Sequence, residues 1–180
     1  MIYSSLKFIK LLFKKLYKFR RYNVIMKISI REFQEGDEEH ISKLHNRAVR
    51  AIPNLTLKQI EEWSPIRNDY TQLKESLLQS FSYVALNINN QIVGFSDFMI
   101  NQEDGLPRIL RLYVDPLFQK LGIGKQLLLV MENRVKQLGF HRIRLETSKT
   151  AQRFYSKMGY IKIGEKEVFG EIEWVMQKDL

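Results

Sequence analysis

The stretch that most restricts the fold is a strand, a glycine-bearing turn, a helix and a second strand in direct succession. RILRLYV (residues 108–114) has the composition of a strand, and FQKLGIGKQ (118–126) sets Gly122 and Gly124 beside Lys120 and Lys125. LLLVMENRVKQLG then runs with helical spacing to a stop at Gly139, and HRIRLET follows as a strand. Such a βαβ unit holds its two strands parallel, and its helix starts beyond the carboxyl end of the first, where ligands are expected. A helix N-terminus leaves backbone amides unpaired and carries about half a positive charge. Glycines lack the Cβ that would keep an anion away, and the two lysines add charge, so the turn is predicted to cradle a phosphate.

Around this unit the sequence predicts a strand in KISIREF and a helix in EGDEEHISKLHNRAVRAI, with Asp37 as its N-cap and Pro53 beyond its end. LTLKQIEEW, capped by Thr56, and YTQLKESLLQS give two more helices, separated by SPIRND. YVALNINNQIVGFSDFMI is predicted to be a hairpin turning at Asn89 and Asn90, which tolerate positive φ. TAQRFYSKM is a short helix closed by Gly159, and EIEWVMQKDL a last strand. Hairpins early and strand–helix alternation later argue a mixed α/β sheet with helices on both faces.

At 180 residues, 44% hydrophobic and 27% charged, residues 26–180 suit one soluble domain. The absence of cysteine excludes a disulfide framework, a thiolate nucleophile and a zinc–thiolate site, and suits a cytoplasmic location. The formal charge of +9 is concentrated in residues 1–25, which hold seven bases and no acid; the remainder has 22 bases against 20 acids. So balanced a body gives no reason to expect a nucleic-acid partner. The basic, amphipathic segment 1–25 is too interrupted by lysine to span a membrane. Three readings stay open: it lies on an anionic membrane surface, it is a disordered or docking extension, or Met26 is the natural start. The last two are favoured, because MKISIREF already makes a complete first strand.

The phosphate loop is then narrowed by comparing motifs. A Walker A loop needs glycine where Lys120 stands and a hydroxyl where Gln126 stands; a dinucleotide fingerprint needs glycine at Leu127. What fits is Q-x-x-G-x-G from Gln119 to Gly124, preceded by LYVDP. With AQRFYSKMGY (151–160) matching A-x-x-F-Y-x-x-x-G-[FY] downstream, the chain resembles the GCN5-related N-acetyltransferases (GNAT) from about Ile28 to Leu180. LTLKQIEEWSP also resembles a segment found in one bacterial branch of small-molecule acetyltransferases.

The resemblance implies a single-domain, mostly antiparallel twisted sheet with the βαβ unit at its centre, and direct acetyl transfer from acetyl-CoA to a primary amine of a small molecule. It implies pyrophosphate binding by amides of Gln119, Lys120, Leu121, Gly122, Ile123, Gly124 and Lys125, and strand-like pairing of the pantetheine with Leu112, Tyr113 and Val114. The Val114 N–H would polarise the thioester carbonyl, and Tyr155 would act as general acid on the thiolate. Ser148 stands where many members have asparagine, and Arg153 is placed either to help with phosphate or on a solvated face.

For the base, Asp97 is the first choice among the carboxylates, because a carboxylate in an apolar strand is costly unless used or paired, and Glu146 is the second; a water relay to bulk solvent stands as an alternative equal to Asp97. Trp63 and Tyr70 are expected either to shape the acceptor pocket or, for Trp63, to anchor the core. His40, His45 and His141 lack metal-ligand spacing, so no metal is expected; His45 either lines the acceptor pocket or, the favoured reading, stands exposed on its helix. Two rivals remain beside a small-molecule acetyltransferase: a coenzyme A-binding module without turnover, and an enzyme acting on protein or peptide amines. A homodimer is as compatible with the sequence as a monomer.

Overall fold

The computed structural model describes residues 27–53, 55–63, 70–168 and 171–180, with only the backbone described at Glu62, Trp63 and Glu171. The segment 1–25 lies outside the described residues. In chain order the elements are β1 (Ser29–Glu32), α1 (Glu38–Arg50), α2 (Leu57–Trp63), α3 (Thr71–Leu78), β2 (Phe81–Leu86), β3 (Ile92–Ile100) and β4 (Pro107–Val114). After a 3-10 turn (Pro116–Phe118) come α4 (Ile123–Gln137), β5 (Arg142–Thr147), α5 (Lys149–Lys157), β6 (Ile161–Val168) and β7 (Glu171–Asp179). The strands form one seven-stranded sheet in the order β1-β2-β3-β4-β5-β7-β6. All neighbours are antiparallel except β4 and β5, the two strands of the βαβ unit.

Both faces of the sheet are covered because the helices are apolar on one side only. In α4, Ile123, Leu127, Leu128, Met131 and Val135 recur at helical spacing and are wholly buried with Tyr83, Phe98, Ile109, Leu145 and Met176. The helix approaches closely: a Cβ at Gly94 of β3 would stand 3.1 Å from side-chain atoms of Ile123 and Leu127. On the opposite face Ile41 of α1 and Leu77 of α3 pack with Val84, Leu86 and Phe95.

The structure departs from the sequence-based expectations in detail. Asp37 precedes α1, but its carboxylate does not cap the helix; it takes hydrogen bonds from Arg31 and from the Gln34 N–H instead. Thr56 does cap α2, in a reciprocal pair with Gln59. In the β2–β3 turn only Asn90 takes positive φ, 58°. The strand β6 was not among the expected elements. Among the described residues no helix is long and apolar enough to cross a membrane.

Candidate active site

The site grows out of the one parallel strand pair. β4 and β5 are paired only at Arg108 and Ile109 against Arg144 and Leu145, although β4 runs on to Val114 and β5 to Thr147. Beyond Ile109 the two strands part. The other edge of β4 stays paired to β3 as far as Val114, and the Asp115 N–H continues that ladder to Val93 O at 2.9 Å. Alternation along the strand therefore turns the N–H groups of Leu112 and Val114 away from β3, into the opening. The Val114 carbonyl on the same side accepts from the side-chain amide of Gln119 at 3.2 Å.

A short, tightly tied turn carries the chain from this strand into α4. The buried Asp115 carboxylate accepts from the Leu117 N–H at 3.0 Å and is held by Arg47 of α1 at 2.7 Å. Lys120 and Gly122 then adopt left-handed φ of 62° and 83°. The first backbone bond of α4 runs from Gln126 N–H to Gly122 O, so the amides of Ile123, Gly124 and Lys125 have no acceptor one turn back. Gly124 faces the opening: a Cβ there would stand 3.4 Å from Leu112, 3.7 Å from Phe154 and 3.7 Å from Val114. Lys120 and Lys125 are exposed beside it and Leu121 is half-buried.

Across the opening stands α5. Tyr155 is 8% exposed, with its ring edge-on to Phe154 and Tyr160 at 5.0 and 5.7 Å. Burial raises the pKa of its phenol, and Tyr113 adds to the effect, so the group is protonated at neutral pH. Ser148 occupies the N-cap position of α5 without a capping side-chain hydrogen bond, and Arg153 is exposed on the same helix. The structure thus brings the loop 119–125, the end of β4, Ser148 and Tyr155 around one opening.

Other expected residues lie elsewhere. Asp97 is 0% exposed and ion-paired to Arg111, whose Nε stands 2.8 Å away; Ser80 donates at 3.3 Å, and Arg111 also reaches Ser76 of α3 at 3.0 Å. Burial pushes the Asp97 pKa up against the pull of Arg111. A carboxylate shut in behind its own counter-ion has no path to a substrate, which argues against Asp97 as the proton acceptor. Glu146 is held by Arg108 at 3.2 Å and by Lys166 at 3.2 and 3.3 Å. Tyr70 is half-buried at the start of α3; the side chain of Trp63 is outside the described residues.

The favoured expectation of an exposed His45 does not hold. Its ring lies 4.5 Å from that of Tyr113, half-buried on the sheet face under α1. The helical signal was available, since His45 is one turn after Ile41 and beside Leu44, both fully buried. Sequence reading also passed over Glu173 of β7, half-buried on that same side of the opening.

Residues 51–180 match the family model described as acetyltransferase (GNAT) domain. No curated protein matches the chain by sequence. Among solved structures, the fold is shared with a GCN5-related N-acetyltransferase from Rhodopseudomonas palustris, at TM-score 0.74 and 21% identity over 84% of this chain and 95% of that one. It is shared with the PaiA N-acetyltransferase from Thermoplasma acidophilum in complex with coenzyme A, at TM-score 0.70 and 24% identity over 86% and 99%. A third is yncA from Salmonella typhimurium with its cofactor acetyl-CoA, at TM-score 0.65 and 20% identity over 86% and 94%. With the family model covering most of the chain, and a parted parallel pair leading into a glycine turn at a helix N-terminus, the chain belongs to the GNAT acetyltransferase family.

Proposed function

We propose that the protein transfers the acetyl group of acetyl-CoA directly to a primary amine of a small molecule. The observation that carries this reading is the row formed by two sets of free amides, those of Leu112 and Val114 in the opening and those of the first turn of α4. The row fits a pantetheine arm lying beside β4 with its pyrophosphate on residues 119–125, and Gly124 leaves the seam between them unfilled. That two structural relatives hold coenzyme A or acetyl-CoA supports the same assignment.

Acetyl-CoA supplies an activated thioester; the chain's own groups orient it and handle charge. The Val114 N–H is set to donate to the thioester oxygen as negative charge develops there, a contribution of about 3 kcal/mol for a preorganised donor. Tyr155 holds the proton that the departing sulfur needs. The burial that raises the phenol's pKa also disfavours a thiolate left in the same apolar surroundings, so a proton donated by Tyr155 offsets the cost of expelling the sulfur as an anion. No cysteine is required, because transfer within a ternary complex forms no acyl-enzyme.

A thiol-release assay with acetyl-CoA across a panel of small amines, peptides and lysine-bearing proteins tests the reading, with Gly124→Glu as the control that fills the seam and sets a carboxylate against the phosphates. Turnover with a small amine, lost in that variant, is the expected result. Coenzyme A affinity without any turnover would favour a binding module, and turnover confined to protein or peptide amines would move the acceptor class. Tyr155→Phe is expected to lower kcat about 10²-fold with coenzyme A affinity retained; an unchanged rate removes the general-acid assignment.

A further inference from the structure

The face of the opening opposite α4 and α5 carries a carboxylate with no ion pair or hydrogen bond among the described residues. On β7, Met176 enters the core under α4, so alternation turns Glu173 and Val175 to the other face, the one covered by α1 and α3. Leu145 of β5 shares that core, so Glu146, which opposes Val175 in register, lies on the same face as Glu173. Tyr113 of β4 is there too, against His45 of α1. β5 ends at Thr147 opposite Trp174, which makes Glu173 the next residue of β7 beyond it, at the rim of the opening.

The charges on this face are distributed unevenly. Lys166 of β6 stands opposite Glu173 in register, yet its ammonium goes to Glu146, and so does the guanidinium of Arg108. Glu146 thus has two cations, whereas Glu173 has no ion pair or hydrogen bond among the described residues. Half-burial of an unpaired carboxylate is unfavourable, and it is relieved by a cation that arrives with a ligand. Burial raises the pKa of Glu173, Glu146 adds to this, and Lys166 only partly opposes it. The charge of Glu173 is also felt at Tyr113, whose pKa burial raises.

Resting on the acetyl-transfer reading, we propose that Glu173 binds the acceptor as a primary alkylammonium and takes its proton. The carboxylate accepts one proton from nitrogen and frees its lone pair; the C–N bond forms as the C–S bond breaks. The second proton leaving nitrogen replaces the one that Tyr155 gives to sulfur, and the proton on Glu173 passes to solvent. One ammonium and one thioester thus yield one amide, one thiol and one released proton. The charges felt at Glu173 are those of Glu146 on β5, which disfavours its charged form, and Lys166 on β6, which favours it, and its own charge is felt in turn at Tyr113 on β4, beside His45 of α1; Arg108 on β4 is turned to Glu146.

The test compares the native protein with Glu173→Gln in thiol release, using a primary alkylamine and an arylamine that is uncharged at neutral pH, with coenzyme A affinity followed by calorimetry. The variant is expected to keep that affinity and to lose about 10²-fold in kcat/KM for the alkylamine, but only about twofold for the arylamine. Its alkylamine rate should rise about tenfold per pH unit, because neutral amine must now come from bulk solvent; the native rate should be flat above the Glu173 titration. Glu173→Asp, which keeps the charge, should restore the preference for the alkylamine. Equal losses with both amines, an unchanged pH profile, or an aspartate variant that behaves as the glutamine one would overturn the proposal. If the native protein releases no thiol with either amine, the acetyl-transfer reading falls together with it; if the native protein turns over and the variant matches it, this proposal alone falls.

Discussion

The two edges of β4 differ in almost every physical respect. Toward β3 the strand is paired from Pro107 to Val114, and it is tied across the sheet by Asp97–Arg111 and Arg47–Asp115. Toward β5 it is paired at two residues and then left open. The bulge at Leu110 belongs to this contrast: Phe98 opposes Ile109 while Asp97 opposes Arg111, so one extra residue rotates the strand. Ile109 stays in the core under α4, and Arg111 turns to the opposite face, where it meets Asp97 and lies 5.5 Å over the Phe95 ring. A strand with one free edge keeps its position only if the other edge is over-determined, and the buried ion pair supplies that.

The contrast is broken most severely by Arg111→Met. The substitution leaves the fully buried Asp97 without its counter-ion, and its Oδ1 already lacks a hydrogen-bond partner. Removing one member of a buried pair costs about 3–5 kcal/mol, which urea unfolding would register as a large fall in midpoint. The double variant Arg111→Met with Asp97→Leu should recover most of the loss, since an apolar pair leaves no buried charge. A single variant as stable as the native protein would show that the closed edge is not held by this pair.

On the open edge the expected costs are smaller and have another origin. Gly122 has φ of 83°, and a Cβ built there has nothing within 4 Å. Gly122→Ala therefore tests backbone conformation alone, with an expected loss of about 1–2 kcal/mol in unfolding free energy. A neutral result would mean that the turn before α4 relaxes freely, and the row of amides would then not be preorganised for an anion.

The same contrast governs what could be read from the sequence. The βαβ unit was legible because glycine placement, helical period and strand composition are local signals, and so was the cap at Thr56, though not its reciprocal partner Gln59. β6 was not: IKIGEKEV buries neither face, with Ile161 62% and Ile163 45% exposed, so no core pattern marks it as a strand. Asp97 was recognised as a carboxylate that must be used or paired, but its partner depends on the bulge at Leu110, which leaves no mark in the composition. Glu173 was passed over because its meaning lies in which cations turn away from it. Lys166 is its neighbour in register, and only the side-chain geometry shows that the ammonium goes to Glu146.

The smallest effect is expected at Asp37, which ties β1 to the start of α1 on the closed side. Arg31 reaches its carboxylate at 2.6 and 2.9 Å, and the Gln34 N–H does so at 2.9 Å. Burial alone would raise the Asp37 pKa, but those hydrogen bonds outweigh it and the value lies below normal. A carboxylate depressed in the folded state contributes stability above its unfolded pKa of about 4, and that stability is lost as pH falls through the folded value. Asp37→Asn keeps an acceptor for Arg31 and Gln34 while removing the charge, and is expected to cost about 1 kcal/mol at neutral pH. In acid strong enough to protonate the native carboxyl as well, the gap between the two proteins in urea unfolding should narrow. An equal gap at both pH values would assign the effect to hydrogen-bond geometry, and the Arg31–Asp37 charge pair would then contribute nothing to holding the closed side.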